Sequence, residues 1–191
     1  MKKVFCGNEM DRMPDWAFRI MAFMFNIVDL IKSPDSRLEP FKISEGQTIV
    51  DWGCGTGRYL RSASELVGKN GMVYAVDIHP LAVESAKRRI RNHRLNNVTA
   101  LLTDGKTADI PSHTANVIYC LDMFHMVSDP DALLQLLFSI ARPDGLLILE
   151  DGHQPREKSK QKVTGSGCWD IIAENKSFMT CKPIENKSGK L

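Results

Sequence analysis

The heptapeptide Asp51-Trp52-Gly53-Cys54-Gly55-Thr56-Gly57 follows a short apolar run and carries three glycines at alternating positions. At a strand-to-helix junction such a turn lets the main chain approach a ligand where any side chain would collide. Spacing restricts the ligand. The dinucleotide fingerprint G-x-G-x-x-G would need glycine at 56 or 58, and those residues are Thr56 and Arg58. No G-K-[ST] follows, so the turn is not a P-loop either. Twenty-two residues after Gly55, the run Met72 to Asp77 ends in a carboxylate able to accept from two vicinal ribose hydroxyls. Asp104-Gly105 ends the next run, where a carboxylate can accept from an exocyclic amine. Any one of these acids alone reads as a helix cap or a solvated loop residue. Three at consecutive strand ends, around one glycine loop, form a joint signal for a nucleoside-bearing ligand.

The elements that position them alternate. Thr48 to Asp51, Met72 to Asp77, Val98 to Asp104, Ala115 to Asp122 and Leu146 to Asp151 read as buried strands, each closing on a carboxylate. Helical patterns lie between them at about Tyr59 to Val67, Pro80 to Leu95 and Pro130 to Ala141, the last stopped by Arg142-Pro143-Asp144-Gly145. Strict alternation predicts βαβ units with right-handed crossovers and a parallel sheet covered on both faces. Cys168 to Glu174 and Ser177 to Pro183 then predict a hairpin about Asn175-Lys176. Pairing Glu174 with Ser177 would put Trp169, Ile171 and Ala173 on one face with Phe178 and Thr180.

The expected fold is therefore α/β, a three-layer α/β/α doubly wound sheet of seven strands, mostly parallel with a C-terminal antiparallel hairpin. One domain spans 1–191: a helical cap at 1–42, a core at 43–151, a helix and hairpin at 152–184, and a frayed polar tail at 185–191. Asp15 to Lys32 is helical and apolar over most of its circumference, with Asp15, Arg19, Asn26 and Asp29 on one narrow stripe. Such a helix needs cover on two sides. A lid over a ligand, a core element and a subunit contact are all open readings, and Met10, Met13, Met21 and Met24 suit a surface that repacks.

Composition narrows the classes. At 191 residues there is room for one ordinary domain, with 43% hydrophobic and 25% charged residues. Lys plus Arg exceeds Asp plus Glu by only two, which argues against a nucleic-acid binder. The basic run Lys87, Arg88, Arg89, Arg91, Arg94 reads as a solvated helix flank, and Arg156 to Lys162 as an exposed helix. Five scattered cysteines without Cys-x-x-Cys predict neither a disulfide framework nor a metal site. No stretch matches a membrane span or a signal peptide, so the expected setting is the cytoplasm.

The motifs resemble those of the class I, seven-stranded S-adenosylmethionine-dependent methyltransferases, over about Ile43 to Asp151. The first motif of that family, D/E-x-G-x-G-x-G, is matched by Asp51, Gly53, Gly55 and Gly57. Its second- and third-strand acids are matched by Asp77 and Asp104-Gly105, and its fifth-strand turn by ARPDG. Trp52 is bulkier than the usual residue, and Asp144 replaces a glycine of that turn. Within the family the chain looks most like the small-molecule group that includes ubiquinone and menaquinone biosynthesis methyltransferases. The resemblance implies S-adenosylmethionine as cofactor and S-adenosylhomocysteine as product. Asp51, Gly53, Cys54, Gly55 and Gly57 would hold the methionine moiety, and Asp77 the ribose. Asp104 and Gly105 would hold the adenine, with Ile78 and Lys106 at its rim and Leu121 beside the cofactor.

Methyl transfer from a sulfonium needs alignment, exclusion of water and removal of any proton on the nucleophile. Such groups belong at the ends of the fourth and fifth strands. Asp122 and His125 are the catalytic candidates there, His125 as the base because its pKa lies nearest neutrality. Met123, Phe124, Glu150, Asp151 and His153 are candidates for the acceptor side. Capping, loop solvation and aliphatic packing explain the same residues without chemistry. The expected acceptor is a small molecule, taken by a monomer or homodimer. The competing readings are a methyltransferase of RNA or protein, or a silent cofactor-binding module that needs a partner. An arsenic-type enzyme would need a third cysteine beside Cys54 and Cys120.

Overall fold

The computed structural model describes residues 12–31 and 35–184. The expected tail at 185–191 and Met10 lie outside the described residues. Helix α1 (Asp15–Ile31) precedes β1 (Thr48–Trp52), α2 (Leu60–Val67), β2 (Met72–Asp77), α3 (Pro80–His93), β3 (Val98–Leu102) and β4 (Ala115–Cys120). Then come α4 (Pro130–Ile140), β5 (Ala141–Glu150), α5 (Arg156–Gly165), β6 (Trp169–Glu174) and β7 (Phe178–Pro183). The seven strands form one sheet in the order β3-β2-β1-β4-β5-β7-β6. Pairs among the first five are parallel, and β7 runs antiparallel to both β5 and β6. The order reverses between β1 and β4, and the crevice beyond the carboxyl ends of those strands is where open α/β sheets bind ligands.

Alternation along each central strand builds two cores, one per sheet face. Val50, Trp52, Ile118, Cys120, Leu147 and Leu149 pack with Leu134, Leu137 and Val163 of α4 and α5. Ile49, Val73, Ala75, Val117, Tyr119 and Ile148 pack with Leu60, Ala63 and Val67 of α2 and Ala86 of α3. Asp51 falls on the second face, in register with Tyr119 of β4. The helices start as their sequences dictate. Pro80 opens α3 behind His79, whose Nδ1 accepts from Leu81 N at 3.2 Å, and Pro130 opens α4 behind Asp129, which accepts from Ala132 N at 3.0 Å.

The structure corrects four expectations. Helix α4 stops at Ile140 as expected, but strand β5 begins directly at Ala141, so Arg142-Pro143-Asp144-Gly145 lies within the strand and is no turn. Ala115 pairs with Ala141 and Val117 with Leu146, and the surplus residues bulge outward between them. In the hairpin, Glu174 pairs with Met179 and not with Ser177. A shift between Ile171 and Ala173 then puts Met179 and Cys181, in place of Phe178 and Thr180, in the core with Trp169. Helix α5 buries Ser159 and Val163 and is not wholly exposed. Helix α1, finally, is covered on one side only, since Trp16, Ile20, Phe23, Met24 and Ile27 are exposed. Among the described residues no helix is long and apolar enough to cross a membrane.

Candidate active site

A cavity of about 490 Å³ opens at the switch point, with the glycine loop as floor and Phe18, Met21 and Phe25 of α1 as roof. The floor is pinned to the sheet by Gly53 N and Cys54 N, which donate to the Val76 carbonyl at 2.8 and 3.0 Å. Gly55, at φ +52°, turns its missing Cβ into open space, so nothing of the protein occupies the position from which a ligand would touch the main chain. Gly57 departs from the expectation. It does not line the cavity, and a Cβ there would meet Leu60 Cδ1 at 2.8 Å and Ala86 Cα at 3.2 Å. Its role is to let α2 and α3 approach.

The acids divide by environment. Asp51 is buried under the loop, and its Oδ2 has no hydrogen-bond partner among the described residues. Burial first, then the nearby Asp77 charge, pushes its pKa up to about 8, against a smaller downward pull from the Tyr119 hydroxyl. Asp77 accepts from Gly55 N at 2.9 Å and His79 N at 2.8 Å. Burial raises its pKa, and these N–H donors oppose the rise. Asp104 is exposed, and its Oδ1 accepts from Lys106 N and Thr107 N, both at 2.9 Å, which lowers its pKa. One oxygen thus shapes the turn while Gly105, Ile78 and Lys106 stand beside it on the cavity wall. Cys54 and Leu121 also line the cavity. The Cys54 thiol is pushed well up by burial and by the Asp51 and Asp77 charges, and so is no nucleophile.

The acceptor side is only partly as expected. Asp122, Met123 and Glu150 line the cavity, and Glu150 is ion-paired with Arg37. Phe124 does not: it is fully buried in the core, under the Lys162 ammonium at 5.1 Å from its ring centroid. Asp151 is taken by Arg156 Nε at 2.7 Å. His125 and His153 sit outside the lining, packed edge to face with centroids 4.9 Å apart. Burial lowers the His125 pKa; Asp122 raises it, and His153 and Lys162 lower it further.

Sequence reasoning missed the roof contacts. His79 is buried, stacks on Phe18 at 4.6 Å and faces Asp15 Oδ1 across 3.5 Å. Its position between the β2 acid and Pro80 marks an N-cap, the one available signal. Arg58 lies 4.6 Å from the Phe25 ring centroid, tying the glycine loop to α1. The cavity suits a cationic nucleoside-like group. It offers a buried acid with an orphan oxygen, a second acid at the β2 end and a loop open at Gly55.

A doubly wound sheet with a glycine-floored cavity at its switch point defines a Rossmann-like nucleoside-binding protein. Residues 43–186 match the family described as methyltransferase domain, and the chain belongs to that family, the class I S-adenosylmethionine-dependent methyltransferases. It is 30% identical over 88 residues to aklanonic acid methyltransferase DauC of Streptomyces sp. strain C5, a stretch covering 46% of this chain and 39% of that protein. It is 29% identical over 110 residues to the ubiquinone/menaquinone biosynthesis C-methyltransferase UbiE of Escherichia coli, covering 56% and 44%. The matched stretch thus spans under half the length of these relatives. In fold the chain is similar to a SAM-dependent methyltransferase from Aquifex aeolicus, with TM-score 0.72, 23% identity, and 90% and 98% of the two chains covered. The likeness extends to an S-adenosylmethionine-dependent methyltransferase described as putative from Methanococcus maripaludis, with TM-score 0.75, 12% identity, and 98% and 100% covered.

Proposed function

We propose that this chain transfers a methyl group from S-adenosylmethionine to a small-molecule acceptor, as a single catalytic domain in the cytoplasm. The observation that carries the reading is the roofed cavity at the switch point, whose floor, acids and lid enclose a volume suited to small ligands. A methyltransferase of RNA or protein would be better served by an open, basic face. The relatives' names, one for aklanonic acid and the other for ubiquinone/menaquinone biosynthesis, support the same acceptor class.

S-adenosylmethionine supplies an electrophilic methyl carbon on a positively charged sulfur. The chain's residues do the rest. The main chain around Gly55 and the Asp51 carboxyl bind the amino-acid end, and Asp77 accepts from the ribose hydroxyls. Asp104, Gly105, Ile78 and Lys106 frame the adenine, while Phe18, Met21 and Phe25 exclude water. Asp122 and Met123 face the acceptor. His125, its pKa lowered by partial burial, stands behind them, outside the lining, as the base for the acceptor's proton.

Calorimetric titration with S-adenosylmethionine, S-adenosylhomocysteine and NADH, each alone, tests the cofactor. Micromolar binding of the two adenosyl-sulfur compounds and none of NADH is the expected pattern; silence toward all three reduces the reading to a fold. Asp77→Ala should weaken S-adenosylhomocysteine by about 30-fold or more, since charge-assisted hydrogen bonds contribute about 1.5–3 kcal/mol each. The far-ultraviolet circular dichroism spectrum should be unchanged. Retained affinity would remove Asp77 from the site.

A further inference from the structure

Outside the cavity lining, the ends of β4 and β5 bring together three groups with metal-ligand chemistry. One oxygen of Asp122 and one ring nitrogen each from His125 and His153 lie within 4.8 Å of one another. His153 Nε2 is 4.0 Å from Asp122 Oδ1, and the two imidazoles meet edge to face. The contact is made by two loops distant in sequence, and glycine permits it. Gly152 has φ +63°, and a Cβ there would collide with the His125 ring. His125 Nδ1 is buried with no hydrogen-bond partner among the described residues. That nitrogen lies against Gly152, and a buried imidazole nitrogen without a partner is costly.

We propose that Asp122, His125 and His153 bind a divalent transition-metal ion of the zinc, cobalt(II) or nickel class. Two imidazoles and a carboxylate suit such ions, whereas magnesium and calcium prefer oxygen ligands throughout. Bond lengths of about 2.0–2.2 Å place tetrahedral ligand atoms about 3.5 Å apart, so the trio must close by roughly 1 Å. His153 and Asp122 are exposed and can rotate to do so. Lys162 brings a positive charge into the neighbourhood, and its ammonium is held by Gln154 Oε1 at 3.0 Å and the Phe124 carbonyl at 3.5 Å. Three protein ligands leave a coordination position open, and because Asp122 also lines the cavity, that position lies at its rim. There an acceptor's oxygen or nitrogen lone pair would bind the ion. With an ion bound, His125 serves as a ligand, which replaces the base role given to it above, and the ion itself would lower the pKa of the acceptor it binds.

The test needs no methyl donor, so its outcome is independent of the methyltransferase reading. Chelator-treated, tag-free protein comprising residues 1–191 is titrated with cobalt(II) chloride by visible absorption and with zinc chloride by calorimetry. The expected result is one ion per chain and an intense tetrahedral cobalt spectrum. His153→Ala, at an exposed position that cannot unfold the core, should weaken binding by at least about tenfold, the lower range for disturbed metal sites. Asp122→Asn should do the same, and His93→Ala, on the far end of α3, should change nothing. Absence of a cobalt spectrum, equal binding by His153→Ala, or loss of binding in His93→Ala would each overturn the proposal.

Discussion

Gly55 and Gly57, two residues apart in the same loop, do different work, and a single added methyl group tells them apart. Gly55→Ala adds a methyl to open space, so its folding cost is the left-handed backbone alone, about 1–2 kcal/mol. That methyl stands where the cofactor must approach, and S-adenosylhomocysteine affinity should fall by about tenfold or more. Gly57→Ala meets Leu60 and the Ala86 backbone, and should cost about 2–4 kcal/mol of stability while leaving the affinity of the folded fraction close to wild type. Calorimetry paired with thermal melts checks both; the same pattern in the two variants would refute the division. Asp51 carries a pH signature. Its folded pKa of about 8 lies above the ordinary 3.8, so the folded, ligand-free protein holds a proton that the unfolded chain has lost. This acid therefore makes stability fall as pH rises from about 4 to about 8, and Asp51→Asn should flatten that slope. An ammonium bound beside the carboxyl favours its charged form, so cofactor binding at pH 7 should release protons. Titrations in two buffers of unequal ionisation enthalpy read that release, which should vanish in Asp51→Asn. The glycine loop and the three acids were legible because a ligand approached by main chain fixes residue type and spacing together. Gly57 was not, because a glycine needed for helix packing looks the same in one dimension as a glycine needed for a ligand.

Elements show where one-dimensional reading reaches its limit. Helices α3 and α4 begin at the expected prolines because Pro at the first turn, behind a capping side chain, is a local signal. Strand β5 starts five residues earlier than its apolar run, because pairing with Ala115 outranks the local turn preference of Pro143 and Gly145. The hairpin register slips because Ile171, Ile172 and Ala173 are all apolar, so the alternation that would fix the faces is lost where the bulge sits. Asp151, the carboxylate read as an acceptor-side group, instead anchors Arg156, which also bonds the Asn175 carbonyl at 3.0 Å and Glu174 at 3.4 Å. One arginine thus ties the end of β5 and the start of α5 to the hairpin turn. Arg156→Ala should leave a half-buried carboxylate without its partner, and the other Asp151 oxygen already lacks one. A loss of about 1–3 kcal/mol follows, seen as a lower urea midpoint with unchanged slope. Cofactor affinity should hold within about twofold, since Arg156 and Asp151 do not line the cavity. A variant as stable as wild type would mean that the hairpin is held by its apolar contacts alone.

The cavity joins parts of the chain that the sheet alone keeps distinct. Its floor belongs to the loop after β1, its second acid to β2, its far wall to the segment after β4, and its roof to α1 through Phe18 on His79 and Phe25 on Arg58. A ligand held there contacts every one of these segments, so it binds the folded chain and has no counterpart site in the unfolded one. Linkage then sets the size of the effect. At a concentration one hundred times its dissociation constant, S-adenosylhomocysteine should add about 2.7 kcal/mol to stability. For a chain of this length each kcal/mol moves the melting temperature by about 2–4 °C, so the midpoint should rise by roughly 5–11 °C. NADH at equal concentration should not move it, since the glycine spacing at Thr56 and Arg58 does not form the pyrophosphate turn. A roof that belongs to the site predicts more than a shift of the midpoint. Phe25→Ala should leave the ligand-free melting temperature nearly unchanged, because Phe25 is only half-buried, while reducing the ligand-induced rise. If the rise is undiminished, α1 lies over the cavity without closing it, and water exclusion must come from the acceptor itself.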